Sequence, residues 1–267
     1  MHYGIGATLA RHFGADEMLV IPAVSAFSLA AARLGWALQD TDCISLHGRP
    51  VEKLALSLAP GRRVLAYTSN AETVREAAEL LAAKGYGASR LTVLEHMGGA
   101  EERRVELSVE QGKRHRGSDF NTLAIDCIAD TDCRVLPSVP GLPDDAFRHD
   151  GQMTKREVRA ASLAALGPYP GAMLWDVGAG CGSIAIEWMR AARGAKAFAI
   201  EDNEARRAMM AENAATLGVP ELAIVEGRAP ESLAGLAAPD AVFIGGGVSE
   251  AGVFEACFEA LKPGGRL

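Results

Sequence analysis

The fold of the chain's second part is decided by residues 175–183, which read WDVGAGCGS. An apolar run leads into Asp176, three glycines follow at alternate positions, and Ser183 opens a run with helical periodicity. Glycine permits the sharp turn of a strand-to-helix loop, and without a Cβ the backbone can approach a ligand closely. The stretch therefore predicts a strand, a glycine-rich loop that carries a ligand, and a helix.

On both sides of this loop, short apolar runs alternate with longer helical runs, as in a parallel sheet with crossover helices. The predicted strands are Ala172–Val177, Ala197–Glu201, Leu222–Glu226 and Ala241–Ile244. The predicted helices are Ser183–Ala192, Glu204–Leu217 and Ser249–Leu261. Another helix is expected to begin at Thr154, because Thr154 and Glu157 have the spacing of a capping box. We predict a Rossmann-like α/β domain over 151–267 that lacks its C-terminal strands.

The first part mixes strands and helices in a different order. Strands are predicted near Met18–Ile21, Cys43–Leu46, Val64–Thr68, Leu91–Glu95, Val105–Val109 and Thr122–Ile128. Ser69 and Glu72 have capping-box spacing at the start of a helical run, Ala71–Lys84. After that helix the strands follow each other without helices between them, which favours an α+β domain over 1–136.

A proline-rich segment separates the two parts, with Pro137, Pro140 and Pro143 close together. Proline fixes φ and lacks the N–H that a helix or central strand needs, so we predict a linker over 137–150. Both ends look cut, because no strand precedes the opening glycine-containing residues and the final KPGGRL should lead into another strand. We therefore expect a fragment.

Composition excludes several classes of protein. The 267 residues are 49% hydrophobic and 23% charged, which is typical of a soluble globular protein of one or two domains. A net charge of −7 argues against a protein that coats nucleic acid. The five scattered cysteines argue against a disulfide framework or a structural metal. No run is long enough to span a membrane and no leader is visible, so we expect a cytoplasmic protein.

The ligand of the glycine loop is indicated by two acids. Nineteen residues after Gly182, Glu201 ends the next predicted strand, where a carboxylate can accept hydrogen bonds from both ribose hydroxyls. Gly180, Gly182 and Ala185 also satisfy the relaxed dinucleotide pattern, so an NAD-dependent oxidoreductase remains an alternative. Asp176 would oppose a pyrophosphate and favours a ligand that carries an ammonium or a sulfonium. S-adenosylmethionine is such a ligand, which favours methyl transfer.

Motifs along the whole chain resemble two known families. From Pro140 onward the chain is similar to the decarboxylating precorrin methyltransferase domain of cobalamin biosynthesis. The resemblance rests on the glycine loop, Glu201, PGLPDDAF (140–147), QMTKREVR (152–159), GRAP (227–230) and DAVFIGG (240–246). The first part resembles the tetrapyrrole methylase family through IPAVSA (21–26), SLHGR (45–49), EHMGG (95–99), Glu102 and SDFNTL (118–123).

The resemblance implies S-adenosylmethionine-dependent methylation of precorrin-6Y at two macrocycle carbons, with decarboxylation of an acetate side chain, to give precorrin-8X. It implies a homo-oligomer, and from the charge and the lack of a membrane span we expect neither nucleic acid nor membrane as a partner. Besides Asp176, the implied cofactor contacts are Thr154, Gly178, Ala179, Gly180, Cys181, Gly182, Glu201 and Ala229, with Ser25 and Ala26 in the first part. Arg228 is a candidate for a substrate carboxylate, because guanidinium pairs bidentately with carboxylates. A third alternative is a fragment that binds the cofactor without catalysis.

Overall fold

A computed structural model describes residues 5–267; the opening residues 1–4, on which the expected N-terminal truncation partly rests, lie outside the described residues. The elements of the first part are α1 (Ile5–Leu9), α2 (Ala26–Leu34), β1 (Thr41–Ser45), β2 (Arg63–Tyr67), α3 (Ala71–Ala83), β3 (Arg90–Glu95), β4 (Arg103–Ser108), α4 (Val109–Gly112) and β5 (Asn121–Asp126). The strands form one sheet in the order β1-β2-β5-β3-β4. Only β1 and β2 pair in parallel, and the other pairs are antiparallel. This mixed sheet confirms the α+β prediction.

Three local predictions for the first part are wrong. The short helix α4 lies between β4 and β5, where the sequence predicted strands without helices between them. Met18–Ile21 forms no strand, and the apolar side chains of Leu19 and Ile21 are exposed, because an apolar run makes a strand only where another strand pairs with it. Helix α3 is capped by Asn70, whose Oδ1 accepts from the Thr73 N–H at 3.1 Å. The Ser69 hydroxyl bonds to the loop after β1 instead: it accepts from the Gly48 N–H at 2.9 Å and donates to the Leu46 carbonyl at 3.2 Å.

The second part is a parallel α/β unit. Its elements are α5 (Arg156–Leu166), β6 (Met173–Val177), α6 (Ser183–Ala191), β7 (Lys196–Glu201), α7 (Glu204–Thr216), β8 (Ala223–Glu226), β9 (Ala241–Ile244) and α8 (Val253–Ala260). The strands are parallel in the order β8-β7-β6-β9, so β6 and β7 are central. Strand order reverses beside β6, and ligands bind at such a switch point in open α/β sheets. The Rossmann-like prediction is confirmed.

Helix starts in the second part differ from the predictions. Helix α5 begins at Arg156 and its N-cap position is Lys155, so the predicted Thr154 capping box does not form. The Thr154 carbonyl accepts instead from Arg159 Nη1 at 2.6 Å. Helix α8 begins at Val253 rather than Ser249, because residues with positive φ interrupt the helical run before it.

The proline-rich segment packs against the second part. Leu142 and Phe147 are buried in the same apolar cluster as α6. Nearby, the buried guanidinium of Arg159 donates from Nε to Glu187 Oε1 at 2.6 Å, and Glu187 also accepts from the Leu142 N–H. The domain limits 1–136 and 151–267 stay predictions. Within residues 5–267, no helix combines the length and the apolar character that a membrane crossing requires.

Candidate functional site

The main cavity of the second part has a volume of about 450 Å³ and opens at the carboxyl ends of its four strands. The glycine loop after β6 forms its floor, and the loops after β7, β8 and β9 form its walls. Residues before α5 cover one side. The lining side chains and backbone come from Gln152–Thr154, Asp176–Gly180, Ser183, Ile184, Ile200–Asp202, Arg206, Gly227–Ala229, Phe243, Gly245–Gly247, Glu250 and Val253.

The glycines of the loop have distinct roles. Gly178 has φ 70°, and a Cβ there would lie 2.9 Å from the Gly246 amide nitrogen. Gly182 has φ 79°, and a Cβ there would lie 2.5 Å from Met210 Cγ. Gly180 has φ 58° with only ordinary contacts around it, so its backbone conformation alone requires glycine. Packing within the chain therefore requires glycine at positions 178 and 182, in addition to the close approach that a ligand would need.

Asp176 is buried at the end of β6, directly below the loop. Its Oδ2 accepts a hydrogen bond from the Ala185 N–H at 3.0 Å, which ties β6 to the first turn of α6. Burial, with a smaller contribution from the charge of Glu201, raises the pKa of Asp176 to about 7. The hydrogen bond from Ala185 opposes this rise. A bound cation would favour the ionised form of this carboxyl group.

Glu201 lies at the end of β7 with both carboxylate oxygens held by backbone amides. Oε2 accepts from the Gly180 N–H at 2.8 Å, and Oε1 accepts from the Asn203 N–H at 3.0 Å. Each oxygen keeps a second lone pair that can accept from another donor. The glycine loop thus fixes the direction of this acid, and the acid lines the cavity as the spacing predicted.

Other predicted residues are divided between the cavity and its surroundings. Thr154 and Ala229 line the cavity with Ala179. Cys181 and Gly182 do not line it: Cys181 is buried behind the loop, and its carbonyl accepts from Asn213. The cofactor contacts assigned to these residues stay predictions.

In the first part, a second cavity of about 220 Å³ is lined by Ala26 but not by Ser25. The Ser25 hydroxyl caps α2 by accepting from the Ser28 N–H at 3.1 Å. His47, Thr68 and other polar residues from strand ends complete this cavity. The two parts thus present separate cavities of different size.

Arg228 lies at the rim of the main cavity with its side chain 69% exposed. Its Nε donates to Asp202 Oδ2 at 2.5 Å, and Nη1 lies 4.0 Å from Glu250 Oε1. The guanidinium thereby holds the pKa of the Asp202 carboxyl below its usual range. A substrate carboxylate would have to compete with these two acids for Arg228.

Sequence reasoning missed several lining residues. Arg206 lies one turn into α7 and reaches back over the loop, where it contacts Asp150 and Gln152. Asp202 and Glu250 add acids to the rim, and Gly245–Gly247 follows the end of β9. A glycine run after a predicted strand was visible in the sequence, whereas the side-chain contacts of Arg206 depend on tertiary packing and left no local signal.

The balance of charge in the cavity is acidic. Asp176, Glu201, Asp202 and Glu250 line it, against Arg206 and Arg228, and both arginines donate to acids. The cavity therefore favours a ligand with positive charge over a diphosphate. A parallel sheet in this order, with a glycine loop at its switch point and an acid at the end of the next strand, defines a Rossmann-like domain of the methyltransferase class.

Comparisons with known proteins extend this assignment. The profile of the family described as Precorrin methyltransferase domain matches residues 145–267, and that of Tetrapyrrole (Corrin/Porphyrin) Methylases matches residues 1–111. A probable cobalt-precorrin-6B C(15)-methyltransferase (decarboxylating) from Pyrobaculum calidifontis is 36% identical over 132 residues, which are 48% of this chain and 68% of the relative. The chain belongs to the family of decarboxylating precorrin methyltransferases.

A longer match is a precorrin-6Y C(5,15)-methyltransferase (decarboxylating) from Sinorhizobium sp, 51% identical over 265 residues, which cover 99% of this chain and 64% of the relative. The chain spans about two thirds of the length of such curated relatives. The crystal structure of the C-terminal domain of precorrin-6Y C5,15-methyltransferase from Rhodobacter capsulatus aligns with a TM-score of 0.46 and 46% identity, over 49% of this chain and 70% of that chain. The family resemblance predicted from the sequence is confirmed.

Proposed function

We propose that the second part binds S-adenosylmethionine in the main cavity and methylates a precorrin macrocycle with loss of carbon dioxide. The observation that carries the proposal is the hydrogen bond between the Gly180 N–H and Glu201 Oε2, which puts the ribose-directed acid beside the glycine loop. Relatives that match this chain are named for methylation with decarboxylation. Because the chain spans only part of the longer relatives, their whole activity is a proposal for it.

The residues present fit a nucleoside with a cationic sulfur. The volume of about 450 Å³ is within the roughly 300–1,000 Å³ of small-molecule sites. Glu201 has free lone pairs for ribose hydroxyls, and Asp176 supplies a carboxyl group that a nearby positive charge would ionise. Apolar side chains such as Ile184, Phe243 and Val253 line the cavity beside these acids.

Bound S-adenosylmethionine supplies an electrophilic methyl group, so the chain needs no strong catalytic acid or base for that step. The glycine loop and Glu201 orient the nucleoside, and the apolar wall excludes water from the reacting atoms. Arg228 is exposed at the rim, where it can exchange Asp202 for a carboxylate of the macrocycle. The proposed work of the protein is therefore alignment and partial desolvation.

The finer proposal follows the family. The substrate is precorrin-6Y, methylated at two carbons and decarboxylated at an acetate side chain to precorrin-8X. Ser25 and Ala26 belong to a cofactor site of the first part, and the cofactor contacts of the second part are those predicted from its sequence. We further propose a cytoplasmic, self-associating enzyme without nucleic-acid or membrane partners.

Calorimetric titration of the intact chain with S-adenosylhomocysteine and with NADH tests the cofactor. We expect binding of S-adenosylhomocysteine only, and NADH binding in its place would support the oxidoreductase alternative. Incubation with precorrin-6Y and S-adenosylmethionine, followed by mass spectrometry, tests the reaction. We expect a gain of methyl and a loss of carbon dioxide, whereas cofactor binding without turnover would indicate a non-catalytic binder.

A further inference from the structure

A short segment crosses the glycine loop between two fixed points. We call residues 149–153 the strap. On its N-terminal side, Asn213 of α7 holds Arg148 by both backbone groups: Oδ1 accepts from the Arg148 N–H at 2.8 Å, and Nδ2 donates to the Arg148 carbonyl at 2.9 Å. On its C-terminal side, Arg159 Nη1 donates to the Thr154 carbonyl. Asn213 and Arg159 are buried, so both ends of the strap are anchored.

Between these anchors, two side chains connect the strap to the rest of the protein: Met153 packs against the apolar cluster around α6, and Arg206 of α7 supplies hydrogen bonds. Arg206 Nε donates to Asp150 Oδ2 at 2.8 Å, and Nη2 donates to Gln152 Oε1 at 2.5 Å. Within residues 5–267, every hydrogen bond that leaves the strap goes to Arg206, and its other bonds are local, to His149 and Asp150. Arg206 therefore supplies the hydrogen bonds that hold the strap against the cavity, and Met153 adds apolar packing.

The strap lies where it can cover a bound nucleoside. The Gln152 carbonyl is 3.6 Å from the position of a Cβ on Gly180, and Gln152 and Met153 line the cavity. Asp150 and Gly151 are exposed, and Gly151 has φ 99°, so within the strap the packing against the apolar cluster is limited to Met153. Segments with so few buried contacts open at low free-energy cost.

We propose that Arg206 is a positioning residue that holds the strap closed over the cofactor, so that release of its contacts opens the cavity. This inference rests on the proposed cofactor site. The guanidinium holds the pKa of the Asp150 carboxyl below its usual range, so the pair is ionised near neutral pH. Because the contact is solvent-accessible, it contributes only a small free energy. It can therefore favour the closed strap and still break and re-form.

The chain offers a matched control. Arg148, beside the strap, also pairs with Glu212 of α7, and this pair is exposed and outside the cavity. Glu212→Gln therefore removes an ion pair between the same segment and the same helix without touching the strap. Asp150→Asn is the complementary variant, because it weakens the strap contact at a residue that does not line the cavity.

Stopped-flow binding of S-adenosylhomocysteine tests the proposal. Loss of an exposed charge-assisted pair and one further hydrogen bond predicts dissociation about three- to tenfold faster in Arg206→Gln, and a smaller increase in Asp150→Asn. Glu212→Gln should match the wild type, and the double variant Arg206→Gln/Asp150→Asn should match Arg206→Gln. If S-adenosylhomocysteine dissociates faster from Arg206→Gln but not from Asp150→Asn, Arg206 contacts the ligand directly. That result would overturn the proposal that Arg206 holds the strap closed.

A ligand-independent measurement separates this proposal from the proposed function. Hydrogen–deuterium exchange of the backbone amides of residues 149–153 should be about three- to tenfold faster in Arg206→Gln than in wild type or Glu212→Gln. If wild type does not bind S-adenosylhomocysteine, the proposed function fails, and the exchange rates still decide on the strap. Equal exchange rates in wild type, Arg206→Gln and Asp150→Asn would contradict it.

Discussion

The Gly180 N–H donates to Glu201 Oε2 at 2.8 Å, so the loop after β6 and the acid at the end of β7 are joined by one hydrogen bond. The Asn203 N–H holds the other oxygen at 3.0 Å. Because both donors are backbone groups, the direction of the carboxylate is set by the course of the chain. The acid is thus oriented by the glycine loop that would carry the nucleoside.

Glu201→Gln should weaken binding of S-adenosylhomocysteine by roughly ten- to a hundredfold, because an amide replaces a charged acceptor worth about 1.5–3 kcal/mol. Isothermal titration measures the change. Glu226→Gln is the control, since Glu226 ends the next strand but is largely exposed and outside the cavity. Equal affinities of the two variants would remove Glu201 from the site.

Gly178→Ala should lower the free energy of unfolding by about 2–5 kcal/mol, because it combines a positive φ with a Cβ too close to Gly246. Gly171→Ala separates the two causes, since Gly171 has φ 81° and no atom within 4 Å of its Cβ position. This control should cost only about 1–2 kcal/mol. Urea unfolding compares them, and similar losses would show that the approach of the β9 loop is not close in solution.

Glu187→Gln should destabilise the second part by about 2–3 kcal/mol, because it leaves the buried Arg159 guanidinium with only the partly exposed Asp144 as a charged partner. Asp145→Asn breaks the exposed Arg134–Asp145 pair and should change stability much less than Glu187→Gln, because solvent screens this pair. Chemical denaturation measures both. A small effect of Glu187→Gln would mean that the ion pair does not hold the proline-rich segment against α6.

The pKa of Asp176, raised to about 7, makes stability depend on pH. Below the unfolded-state pKa, near 4, the Asp176 carboxyl group is protonated in both the folded and the unfolded state. The stability that the neutral, buried carboxyl group contributes is therefore fully present there. It is lost as pH rises through about 7, where the buried group ionises. Unfolding between pH 5 and pH 8 should show this decline in wild type, and Asp176→Asn should remove it.

The strand, glycine loop, helix and following acid were predictable from the sequence because each is encoded locally. Apolar runs and side-chain-free positions determine where a strand turns into a helix, and parallel strands bring their carboxyl ends to one edge. The place of Glu201 at the end of β7 could therefore be predicted from spacing alone.

Features that depend on competition between partners were not predictable. Ser69 and Asn70 are both good caps, and only the contact of Ser69 with the loop after β1 leaves Asn70 to cap α3. Arg228 was expected to await a substrate carboxylate, yet it pairs with Asp202 of the neighbouring loop. Arg206 lies in an ordinary helical run, and its contact with the strap arises only when α7 packs beside the glycine loop.

The central claim is that the main cavity holds a nucleoside with a cationic sulfur. Its most direct test compares the affinities of S-adenosylmethionine and S-adenosylhomocysteine between pH 6 and pH 8 in wild type and in Asp176→Asn, on either side of the Asp176 pKa of about 7. We predict that the preference for the sulfonium rises with pH in wild type, as Asp176 ionises, and stays constant in Asp176→Asn. A preference that does not change with pH in wild type, or tighter binding of NADH than of either ligand, would contradict the claim.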